Sequence, residues 1–539
     1  MKKQTFIQGS LILIISALIV KVIGALFKIP LANMLGGDGM NYFGCGYSLF
    51  LPIYAIMING LSPAISKLTA ERVSKLDYNS VEKIRHISLI SFSIIGLIGS
   101  ILMVLFSKVF CTYIADNSNA YLCVIMLAPS VIFGCICSVY RGYYEGLCNM
   151  IPTSISQLVE AIGKLIFGLI FCNFAIDNYD ILTKYFPNTD VYSLASASAI
   201  LGISLSTGLG LLVLILFEPF RYKYKVKSIS ISKSEKKTLL KEIFSIMIPI
   251  AIGSLVTNLT TLIDLATIIR FIEKIPKEVL LSRYKVETDN ISGFIYGSYT
   301  GLAITIFNLV PSVTNMLSKG ALPNVVTSWQ NKDLKSLQKD VSDMLTITSL
   351  IAIPSGLGIT VLSKPILMFL YPQRLEEIEV SYESLSYMGV GVIFLCLSFP
   401  LFSVLQGINR TDLPIKIMLF GVAIKLIGNI LTLSVPSIAV YGAGISTSVC
   451  YFVIFMISFV VFEKVSKVKI NLLKISLPIT YGSILCSISA IICNDVISKY
   501  QSSKLALMLA IVIGGGIYLV TLYLMGFKLV DTIKFRKSK

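Results

Sequence analysis

Apolar residues in this chain fall in long runs of about 20, separated by short segments that hold most of the charge. A run of that length, wound as a helix at about 1.5 Å per residue, crosses roughly 30 Å of hydrocarbon. The runs predict fourteen spans, at about 7–30, 41–66, 86–107, 119–140, 152–175, 193–217, 242–269, 292–316, 341–362, 384–407, 413–434, 440–461, 474–494 and 503–525. Lys2 and Lys3 give the first span the look of a signal peptide. It runs too long for one, carries Lys21 and Lys28, and lacks a small-residue cleavage site, so it reads as a retained helix.

Composition agrees. Hydrophobic residues make up 55% of the 539 and charged residues only 14%, against roughly a quarter in soluble chains. With the N-terminus inside, the inner segments hold 31 Lys and Arg residues and the outer segments 11. That excess makes the inner side cytoplasmic, with both termini there. The densest inner segment is 221–241, whereas in the basic outer loop 270–291 Glu273, Glu278, Glu287 and Asp289 nearly cancel the positive charge. The net charge of +17 is therefore inner-face charge facing anionic membrane lipids, and it calls for no nucleic acid.

Two motifs recur in one register. NGLSPAISK closes the second span and SKGALPNVV the eighth, matching Gly60 with Gly320 and Pro63 with Pro323. YEGLCNMIP precedes the fifth span and LQGINRTDLP the eleventh, matching Gly146 with Gly407 and Lys164 with Lys425. The repeat unit is six helices, so both copies have the same topology. The expected division is a six-helix lobe over 1–235, a second over 242–465, and two additional helices with a basic tail over 471–539. Parallel repeats of this kind build transporters whose substrate site lies between the halves. The fold class expected is all-α and polytopic.

An ionisable residue deep in a span costs about 2.5–3.5 kcal/mol, which makes it a functional candidate. Lys21 lies about 21 Å into the first helix at 1.5 Å per residue, and Lys28 follows two turns later on the same face. Lys164 and Lys425 sit near the middle of equivalent spans. Glu160 precedes Lys164 by four residues and could form a helical ion pair with it, while Gly421 takes that place before Lys425. Asp264 and Arg270, in the outer part of the seventh span, are a further pair. Arg141 and Glu145 flank a tight inner turn and read as anchors.

Catalytic signatures are missing. His86 is the sole histidine, Gly163-Lys164 lacks the upstream glycine of a phosphate loop, and the eleven cysteines are scattered without a CxxC pair. No cofactor or metal site is expected. No segment is long enough for a nucleotide-binding domain, so transport would draw on a coupling ion, the membrane potential or the substrate gradient.

VKVIGALFKIPLANMLGGDGMNYF resembles the first-helix signature of the stage V sporulation protein B family, as do SPAISKLTAE, YRGYYEGLCNMIPTSISQLVE and IYGSYTGLAIT for later segments. That family belongs with polysaccharide flippases and MurJ-type lipid II flippases in the multidrug/oligosaccharidyl-lipid/polysaccharide exporter superfamily. The resemblance implies two six-helix lobes plus two helices, and as substrate an undecaprenyl-pyrophosphate-linked peptidoglycan precursor or a related lipid-linked sugar. A pyrophosphate head explains why cations such as Lys21, Lys28, Lys164 and Lys425 should line the cavity; with Glu160, Asp264 and Arg270 these make up the candidate substrate-binding set. Lysine stands at 21 and 28 where those flippases carry arginine. Asn33 and Ser298 or Tyr299 stand at two further basic positions. The competing readings are an exporter of another lipid-linked polysaccharide unit, a cation-coupled multidrug exporter, a non-transporting envelope-assembly scaffold, and a membrane-bound transferase.

Overall fold

A computed structural model describes residues 6–187, 189–220, 232–284, 290–320, 322–438, 441–500 and 502–526. The described residues are almost entirely helical, as they must be where hydrocarbon offers backbone groups no partner. Residues 221–231 of the basic segment, Glu287 and Asp289 of the outer loop, and the tail beyond 526 lie outside them. Thirteen described stretches are long and apolar enough to cross a membrane. The first, Ile15–Ser74, has 60 residues, about 90 Å of helix and far more than one crossing uses. It breaks at Gly36, with φ 62° and ψ −166°, a conformation open essentially to glycine. Counting that stretch as two crossings gives the fourteen expected. The chain is an all-α, multi-pass membrane protein.

It divides into two compact units, 1–266 and 267–539. Unit 1 holds α1 (Phe6–Tyr54), α2 (Leu61–Ser74), α3 (Tyr78–Tyr113), α4 (Tyr121–Leu127), α5 (Pro129–Gly146), α6 (Ile151–Asp177) and α7 (Val191–Leu216). α8 (Lys233–Ile272) starts in unit 1 and ends in unit 2. The break therefore falls inside α8 and not at the basic segment. Its first turns put Leu239, Ile243 and Met247 into the core formed by Leu61, Ile65, Tyr143 and Tyr144. Arg72 pairs with Glu242 at 3.1 Å and Lys83 with Glu235 at 2.9 Å. α6 and α7 lie backbone to backbone, because a Cβ on Gly202 would come within 2.6 Å of the Gly168 nitrogen.

Unit 2 contains α9 (Lys277–Tyr284), α10 (Ile291–Ser298), α11 (Leu334–Leu370), α12 (Leu375–Gly407), α13 (Asp412–Leu433), α14 (Tyr441–Ser466), α15 (Leu472–Ile497) and α16 (Ser503–Leu524). α12 is its centre and packs on α11 and α14. The last two helices pair and lie on α11. Ile353 meets Ile479, Tyr518 and Leu522, while Leu362 meets Ala490, Leu507 and Ala510.

The repeat is visible in the backbone of its turns. After α5 and after α12 the chain leaves the helix through a left-handed residue, Cys148 at φ 56° and Asn409 at φ 63°. The matching amides bond alike, Asn149 to the Tyr144 carbonyl at 3.0 Å and Arg410 to the Leu405 carbonyl at 2.9 Å. A second correspondence escapes sequence reading. Leu76 and Lys332 are both left-handed, at φ 58° and 57°. Each precedes an aspartate, Asp77 or Asp333, that caps the next helix by accepting from Ser80 or Ser336.

Candidate functional site

α6 carries Glu160 and Lys164 one turn apart, on a face that meets α1, α5 and α7. From α5, the Arg141 guanidinium donates to Glu160 Oε2 at 2.7 Å and to Ser156 Oγ at 2.9 Å. From α7, the Thr207 hydroxyl donates to Glu160 Oε1 at 3.3 Å. Ser156 in turn donates to the Gly210 carbonyl. The helical Glu160–Lys164 pair considered from spacing is not what the structure forms. The planar guanidinium offers Glu160 a forked donor set that a lysine four residues along the same helix does not. Arg141 accordingly is more than a turn anchor: it closes an ion pair across α5 and α6.

Lys164 is held differently. Its ammonium lies 3.4 Å from the Tyr47 hydroxyl, 4.9 Å from the centre of the Phe27 ring and 5.6 Å from that of Tyr47. Such cation–π contacts are worth about 0.5–2 kcal/mol each. Phe27 reaches this position because Gly168, one turn beyond Lys164, has no side chain there; a Cβ would meet the ring at 2.5 Å. Lys28 follows Phe27, is half-buried, and lies within electrostatic reach of Lys164. Lys164 thus contacts the ring that Lys28 follows on α1. Lys21 stands on an exposed part of α1.

Along α1 beyond the Gly36 break runs a row of aromatic rings that sequence reasoning passed over. Phe43 stacks on Tyr47 at 4.8 Å, Tyr47 meets Phe50 edge-on at 5.9 Å, and Phe50 meets Tyr54 at 5.2 Å. The spacing of four, three and four residues, which places them on one helical face, is the signal that could have found them. Tyr54 ends the row within electrostatic reach of Glu160 and Arg141.

In unit 2, Lys425 on α13 is 3% exposed. One turn on, Asn429 donates to Thr267 Oγ1 at 2.8 Å and accepts from Ser446. Asp264 on α8 is buried and Arg270 exposed. Ser298 and Tyr299 are fully buried, and Tyr299 opens a π-helical turn.

A family model described as polysaccharide biosynthesis protein matches residues 6–329, and one described as MatE matches 298–431. Stage V sporulation protein B of Bacillus subtilis (strain 168) is 24% identical, over 83% of this chain and 81% of its own. Lipid II flippase MurJ of the same strain is 22% identical, over 97% and 95%. Among solved structures, a lipid II flippase MurJ in an inward closed conformation superposes with a TM-score of 0.64 at 16% identity, covering 96% of this chain and 99% of its own. That likeness speaks for the fold.

Proposed function

The chain belongs to the polysaccharide biosynthesis protein family, and from that premise we propose that it flips a lipid-linked anionic saccharide of the undecaprenyl-pyrophosphate type across the cytoplasmic membrane. The observation that carries the reading is the placement of two lysines in unit 1, Lys164 lying 4.9 Å from the ring of Phe27 and Lys28 following Phe27 on α1. The carboxylate one turn from Lys164 pairs with Arg141. A pyrophosphate dianion stabilises both cations at once.

In this reading the protein is a transporter and makes or breaks no covalent bond. Lys28 and Lys164 hold the pyrophosphate, with Lys21 on α1 a further cation of the same unit; Lys425 takes the equivalent position in unit 2. α15 and α16 guide the polyprenyl tail. Both termini are cytoplasmic. An inside-negative potential favours outward passage of an anion by about 2.3 kcal/mol per charge per 100 mV, a drive that needs no nucleotide hydrolysis.

Export of cationic drugs fits less well at this site, because Glu160, the carboxylate beside Lys164, already pairs with Arg141. The test is rescue of cells whose own lipid II flippases are depleted. The expected result is survival with the wild type and death with equally inserted Lys28→Ala or Lys164→Ala. Death with well-inserted wild type would overturn the lipid II assignment.

A further inference from the structure

The two lysines account for the phosphate end of such a substrate, and the aromatic row on α1 continues from them past Tyr47, which holds Lys164. Phe43 and Phe50 are 5% and 6% exposed, whereas Tyr47 and Tyr54, seven residues apart on the same face, are half-buried. Tyr54 packs one side against the core of unit 1 yet remains half-buried. Here the closed positions are phenylalanine and the half-buried ones tyrosine, with the Lys164 ammonium against Tyr47 and the Arg141–Glu160 ion pair one turn before Lys164 on α6. From Phe43 to Tyr54 the row extends about 16 Å at 1.5 Å per residue.

These parts match the chemistry of a phosphorylated saccharide. A sugar ring offers a face of C–H bonds to an aromatic ring and a rim of hydroxyls to charged side chains. Sites for such molecules combine apolar walls with a few fixed polar groups. Resting on the flippase reading above, we propose that the α1 face from Tyr47 to Tyr54 is the saccharide subsite. Lys28 and Lys164 take the pyrophosphate, Tyr54 stacks on the sugar, and Arg141 and Glu160 meet its hydroxyls. Tyr47 has a different task as a positioning residue. Its ring and hydroxyl hold Lys164 at the junction between phosphate and sugar.

The experiment compares binding of two probes to the full-length protein in lipid nanodiscs: undecaprenyl pyrophosphate without sugar, and undecaprenyl pyrophosphate bearing a disaccharide. Wild type should prefer the sugar-bearing lipid about tenfold or more. Tyr54→Leu should lose most of that preference while keeping its affinity for the sugar-free lipid. Tyr54→Phe, which keeps the ring, should retain the preference. Lys164→Ala should weaken both probes alike. The proposal falls if wild type shows no preference, if Tyr54→Leu weakens both probes equally, or if Tyr54→Leu changes neither. The wild-type comparison decides even where Tyr54→Leu fails to insert. Binding of neither probe would instead refute the flippase reading, and the saccharide subsite with it.

Discussion

Replacing Glu160 by leucine removes the partner of Arg141 and leaves a guanidinium whose side chain is only 13% exposed. Breaking a buried ion pair from one side costs about 3–5 kcal/mol. Glu160 is itself 27% exposed and Arg141 keeps its bond to Ser156, so the lower end, about 3 kcal/mol, is expected. For a unit of this size, each kcal/mol shifts Tm by roughly 2–4 °C, giving a loss of about 6–12 °C. Arg141→Met should cost a similar amount, because it strands the carboxylate. The double variant Arg141→Met/Glu160→Leu should recover most of the loss, since an apolar pair of similar volume replaces two desolvated charges. Thermal unfolding of the purified protein in detergent, run as a double-mutant cycle, measures the coupling directly. The companion cycle pairs Glu160→Leu with Lys164→Ala. A large coupling there, with additivity between positions 141 and 160, would refute the pairing described above.

Three further expectations follow from separate parts of the molecule. Gly168→Ala places a Cβ against the Phe27 ring; it should cost about 1–3 kcal/mol by overpacking and, by displacing Phe27 from Lys164, lower transport more than Tm alone accounts for. Asp77 is held below the usual carboxylate range by its bonds from Ser80, so its cap contributes fully above about pH 4 and is lost as pH falls through the lowered value. Asp77→Ala should therefore destabilise by about 1 kcal/mol at neutral pH, with the difference from wild type shrinking in acid melts. Truncation after about residue 470 uncovers Ile353 and Leu362 on α11 and should abolish transport while leaving the preceding helices inserted, as scored by protease protection.

The architecture was legible because each crossing needs its own apolar run, and hydrocarbon permits little but helix. The repeat was legible where it is written in glycine, proline and lysine; the matching left-handed turn residues, Leu76 with Lys332 and Cys148 with Asn409, share no residue type and show only in the backbone. The unit boundary was hidden because α8 is continuous through it, and neither its apolar pattern nor its charge marks Ala266. Helical spacing offered Lys164 as partner for Glu160. Only the approach of α5 to α6, through the turn at Cys148, brings Arg141 to that carboxylate from 19 residues away. Phe27 under Lys164 was likewise out of reach of spacing arguments, since it depends on the missing Cβ of Gly168.

The central claim is that a cationic pair in unit 1 carries a lipid-linked pyrophosphate across the bilayer. Its most direct test is transbilayer movement of a labelled undecaprenyl-pyrophosphate disaccharide in liposomes holding the purified protein under an imposed membrane potential. Movement is expected with wild type, faster when the potential drives anions in the direction measured, and a loss of about tenfold or more with Lys164→Ala, the worth of one charge-assisted contact. Wild-type liposomes that move the lipid no faster than empty ones, or a Lys164→Ala protein that moves it at the wild-type rate, would contradict it.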